Sequence, residues 1–64
     1  DLIIDNIIVE EGVWIGAQCL VTQGVTCGQY SVLGAGSVLS KNLPRLEIWS
    51  GNPAQFIRNR EILD

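Results

Sequence analysis

No histidine occurs among the 64 residues, so the side chain best suited to general acid–base work near neutral pH is missing. No serine, cysteine or carboxylate stands beside a visible base that would activate it as a nucleophile, so no catalytic residue is assigned. The two cysteines, Cys19 and Cys27, are too few for a metal framework, and no metal ligand set is expected. What the sequence does offer a ligand is main chain. Gly16-Ala17 recurs as Gly34-Ala35, 18 residues on. If residues 18 apart stack, these pairs form a strip almost bare of side chains, whose backbone N–H and C=O groups an extended ligand can reach. Small residues also suit tight corners, so spacing alone leaves both readings open.

The elements that would stack them follow from a period of six. Ile3, Val9, Ile15, Val21, Cys27, Leu33 and Leu39 put an apolar residue at every sixth position. Three residues after each of the first six lie Asn6, Gly12, Gln18, Gly24, Tyr30 and Gly36. Half of these are glycine and one is asparagine, the residues that enter φ > 0 at least cost. Four residues after the apolar position come Ile7, Val13, Cys19, Val25, Ser31 and Ser37, which become small toward the end. Short strands joined by sharp turns, with one large and one small inward residue per side, describe a triangular prism. Three sixes make one coil of 18 residues, a parallel β-helix of hexapeptide type.

About two coils are expected over Val9–Val38, with part of an earlier coil before them and Ile3 and Ile7 inward. Residues 1–40 form the coils and 41–64 a tail. The rhythm is expected to stop after Leu39, Arg45–Trp49 to cross the end of the coils, and Pro53–Leu63 to form a short helix with Asn52 as N-cap. Both cysteines fall inward but on different sides of the coil, so no disulfide is expected. Buried thiols agree with a reducing, cytoplasmic compartment. The position before each inward one points outward and carries Leu2, Ile8, Trp14, Leu20, Thr26, Val32 and Val38. So apolar an outer surface predicts packing against other copies, with Trp14 as an anchor. So small a stack also predicts either a longer β-helix or stabilisation by other chains. A net charge of −3 with four basic residues leaves no footprint for nucleic acid, and no apolar run reaches the ~20 residues of a membrane span.

Val13-Trp14-Ile15-Gly16-Ala17, Gly24-Val25-Thr26-Cys27-Gly28, Val32-Leu33-Gly34-Ala35-Gly36-Ser37-Val38 and Gly51-Asn52-Pro53-Ala54, in this order and spacing, resemble the C-terminal part of the hexapeptide-repeat O-acetyltransferases. The similarity is greatest to the maltose, galactoside, nodulation and colanic-acid-biosynthesis types. The resemblance implies a left-handed parallel β-helix, a homotrimer, and acetyl-CoA lying extended between neighbouring prisms. It assigns the backbone at Ala17 and Ala35 to the pantetheine arm, Ser40 and Lys41 to the nucleotide end, and Arg58 to a CoA phosphate. Gln55 stands where the pattern has a basic residue, which weakens or removes that contact. The family's general base is a histidine in an earlier coil, so these residues by themselves should be inactive. The implied acceptor is a sugar or polysaccharide-precursor hydroxyl. A trimerising β-helix module without ligand is the alternative, and a serine or amino-sugar acyltransferase a third. A γ-type carbonic anhydrase would need three histidines.

Overall fold

The computed structural model describes residues 6–61. Six two-residue strands follow one another at intervals of six: β1 (Ile8–Val9), β2 (Trp14–Ile15), β3 (Leu20–Val21), β4 (Thr26–Cys27), β5 (Val32–Leu33) and β6 (Val38–Leu39). Two longer ones, β7 (Glu47–Gly51) and β8 (Ala54–Asn59), follow among the described residues. The strands pair in parallel as β1–β4, β2–β5 and β3–β6, with Ile8 opposite Thr26, Trp14 opposite Val32 and Leu20 opposite Val38. Each coil therefore takes 18 residues and has three faces, as the period of six requires. The fold is the left-handed parallel β-helix, all β. The expected turn residues carry the turns: Gly12, Gln18, Gly24, Tyr30 and Gly36 all have φ between 59° and 79°.

The core lies inside the prism, where Val25, Cys27, Leu33 and Leu39 are buried together with Leu43. Ser31 and Ser37 are fully buried at the small inward positions. Their hydroxyls donate to the carbonyls of Gly28 (2.7 Å) and Gly34 (2.6 Å), so two buried polar groups tie down corners instead of destabilising the core. Both cysteines are free thiols, as expected. The inward residues of the first coil are less covered, with Ile7 44%, Val9 51% and Ile15 42% exposed, because among the described residues no coil stacks on that end. Ile3, expected inward, lies outside the described residues.

Beyond Leu39 two expectations are corrected. The rhythm does not stop but resumes in a frame displaced by two residues. Leu43 bridges Cys27, and β7 joins β5 in parallel with Trp49 opposite Leu33. The five residues between Val21 and Cys27 are matched on the next coil by only three, Ser40-Lys41-Asn42. Asn42 makes the short corner possible, since its side-chain Oδ1 accepts the Thr26 N–H at 2.8 Å. Leu46 then takes the left-handed turn position with φ 60°, at a residue type that gives no hint of it. Arg45–Trp49 thus continues the coil and does not cross its end.

The second correction concerns the tail. Pro53 does not open a helix; Gly51 (φ 111°) reverses the chain and β8 pairs antiparallel with β7. The unpaired edge of β7 offers a ladder of backbone partners to the β-prone Phe56-Ile57. That outweighs a weak helical spacing. Ile62–Asp64 lie outside the described residues.

Candidate functional site

The bare strip exists, and its parts have different reasons. At the corner following β2 and β5, the Gly36 N–H donates to the Ala17 carbonyl at 2.8 Å, so the two turns stack. A Cβ on Gly16 would lie 2.5 Å from the Ala35 nitrogen, and one on Gly34 2.7 Å from the Ser50 Cβ. These two glycines are therefore demanded by the approach of successive coils. Ala17 and Ala35 are not so constrained: both are exposed, and a Cβ at Gly36 would meet nothing within 4 Å. Ala17, Gln18, Ala35 and Gly36 are all exposed, so the two stacked turns border open space. Their geometry is fixed from within. The Gly34 carbonyl accepts from the Ser37 hydroxyl and from the Cys19 thiol (3.1 Å), and the Ser37 hydroxyl in turn accepts the Gly51 N–H (3.0 Å).

Ser40 and Lys41 are exposed on the following corner, where β6 turns toward Leu43. Ala35 and Lys41 stand one side of the prism apart, and six residues of chain reach at most about 20 Å. Between them lies the β3–β6 face with its outward Leu20, 60% exposed. Arg58 lies elsewhere, on β8 opposite Ile48. Together with Arg60 and Glu61 it rims an open cleft of about 480 Å³ whose apolar wall is Trp14, Val32 and Ile48. Trp14 points outward as expected and is 70% exposed. The five predicted residues thus occupy two corners and one face of a single copy.

Arg60 is a site residue that sequence reasoning did not find. Its Nη1 donates to the carbonyls of Gly12 (3.1 Å) and Tyr30 (3.0 Å). Read on a strand, Arg58 and Arg60 share a face; the helical reading of the tail hid this. Beside it the Tyr30 hydroxyl donates to Glu11 Oε2 at 3.0 Å. That hydrogen bond to the neutral phenol, then the carboxylate's charge, raise the tyrosine above its ordinary value. Burial raises the Cys27 thiol, which removes it as a nucleophile. Among the described residues no group of three or more His, Cys, Asp or Glu could hold a metal.

The galactoside O-acetyltransferase of Escherichia coli is 40% identical to this chain over 52 residues, covering 81% of the chain and 26% of that enzyme. The crystal structure of a hexapeptide-repeat acetyltransferase from Vibrio cholerae, complexed with acetyl coenzyme A, superposes with a TM-score of 0.87 at 36% identity. That match covers 91% of this chain and 32% of the other. Over most of its length the chain is similar to part of the hexapeptide-repeat O-acetyltransferases. A maltose O-acetyltransferase from Clostridium difficile is a further structural neighbour of this family, with a TM-score of 0.86 at 36% identity over 91% of the chain and 31% of its own. No family model matches the chain. The chain spans about a quarter of the length of the curated relatives it matches.

Proposed function

We propose that these residues form the acetyl-CoA-binding wall of an O-acetyltransferase that moves acetyl from acetyl-CoA to a sugar or polysaccharide-precursor hydroxyl in the cytoplasm. The observation that carries this reading is the stacked corner of Ala17 and Ala35, whose exposed turns border open space. An extended arm rich in amides finds donors and acceptors there at no conformational cost to the protein. From that corner the path along one prism side ends at Ser40, a hydroxyl, and Lys41, a compact charge suited to phosphate. Arg58 adds a guanidinium fork for a second anionic group. Because the five residues occupy two corners and a face, the groove closes only when a second prism packs alongside. The exposed outward residues Ile8, Trp14 and Leu20 would supply that contact in a homotrimer.

In the reaction a base removes the proton of the acceptor hydroxyl, whose oxygen attacks the thioester carbonyl, and the thiol of CoA leaves. None of these 64 residues is a histidine, and none of them is assigned as that base. Their contribution is to hold the thioester at a fixed place and orientation, which lowers the entropic part of the barrier. A ligand-free trimerising module is favoured by one observation, the exposed Gln55 where the family pattern has a basic residue. Calorimetric titration of CoA separates the two. Lys41→Ala and Arg58→Ala should each weaken CoA binding about three- to tenfold. Unchanged affinity in both variants would leave the module reading.

A further inference from the structure

Arg58 stands on a strand that its neighbour holds poorly at that point. Among the described residues β8 is the edge of its sheet and pairs only with β7. The ladder slips between Ile48 and Trp49, leaving just two pairs, Ile48 with Arg58 and Glu47 with Asn59, on the far side of the irregularity. A bulge lets a strand bend, so the β7 ladder alone does not set the height of Arg58 above the apolar wall. The next residue but one does. The Arg60 N–H donates to the Leu46 carbonyl at 2.7 Å, and its Nη1 reaches the carbonyls of Gly12 and Tyr30 at 3.1 and 3.0 Å. These three acceptors are the left-handed residues of one corner, with φ of 60°, 74° and 60°, one from each successive coil. Arg60 therefore pins the end of β8 to all three levels of the prism, with a charged donor on two of them.

We propose that Arg60 is the positioning residue for Arg58, fixing its guanidinium over the Trp14, Val32 and Ile48 wall where an anionic group is received. This rests on Arg58 as a CoA phosphate contact. Arg60 itself is occupied with backbone carbonyls and acts through the strand.

A double-mutant cycle on the protein as encoded in its gene tests the inference, with CoA titrated by calorimetry. Arg60→Ala should weaken CoA about tenfold when Arg58 is present and less than about twofold in the Arg58→Ala background. Arg60→Lys, which keeps a donor to the corner, should recover part of the loss. Equal losses in both backgrounds would overturn the positioning role, because a general structural defect does not need Arg58. If Arg58→Ala leaves CoA binding unchanged, the Arg58 reading has failed, and hydrogen exchange decides on the anchor separately. Arg60→Ala should then speed exchange at residues 57–59 by about tenfold or more while the β5 amides keep their protection. Unchanged exchange at 57–59 would overturn the anchor itself.

Discussion

Gly16→Ala is the sharpest perturbation of the stacked corner. The added methyl would lie 2.5 Å from the Ala35 nitrogen and 2.7 Å from its Cα, both backbone atoms that no rotamer change can move. Restoring an ordinary contact requires the two coils to separate locally by about 1 Å. Two backbone bonds cross the corner there, Gly16 N–H to the Leu33 carbonyl and Gly36 N–H to the Ala17 carbonyl, both at 2.8 Å. Stretching both by that amount forfeits about 1 kcal/mol each. The expected cost is thus about 2 kcal/mol, within the range for forcing a methyl into packed structure. Gly36→Ala is the control. Its methyl has open space, but φ is +71°, so only the left-handed penalty of about 1 kcal/mol applies. Urea unfolding of the two variants at one protein concentration, with unchanged m-values, measures both. A cost below about 0.5 kcal/mol for Gly16→Ala, or a larger cost for Gly36→Ala, would refute the argument that close coil approach selects these glycines.

Leu33→Ala, at the centre of the core and 1% exposed, should cost about 2–5 kcal/mol by the same unfolding measurement. Trp14→Ala should shift sedimentation toward smaller species if the outward apolar residues join copies; an unchanged size would remove Trp14 from that role. The sole tyrosine permits a direct titration by ultraviolet absorbance. Tyr30 should ionise above 10.0, and Glu11→Gln should bring it back toward that value. Because the folded-state value is the raised one, the contribution of this contact is complete below the ordinary tyrosine range and is lost as pH climbs through the folded value. Equal midpoints in the two proteins would mean that the Tyr30–Glu11 bond does not form.

The coils were legible because their signal is local and repeated. Gly12, Gly24 and Gly36 occur where the backbone needs φ > 0, and Ser31 and Ser37 where the interior is narrow. Even Gln18 and Tyr30, poor left-handed formers, were placed by the frame alone. Past Leu39 the frame loses two residues, and a side chain, Asn42, replaces the missing main chain. No period can announce that exchange. The tail misled for a related reason: β8 is a strand because β7 offers it an edge, a tertiary fact that outweighed its own spacing. Once the tail was read as a helix, Arg58 and Arg60 no longer shared a face. The strip of Gly16, Ala17, Gly34 and Ala35 was found correctly as a strip, but only atomic positions separate the glycines that packing requires from the alanines left open.

Calorimetric titration of CoA into the protein and into its Ala35→Trp variant tests the binding wall most directly. Ala35 is exposed, so an indole there fills the corner without entering the core. Measurable binding by the parent and loss of about a hundredfold or more in the variant is the predicted result. Equal affinity in the two proteins, or no binding in either, would contradict the assignment of this corner to acetyl-CoA.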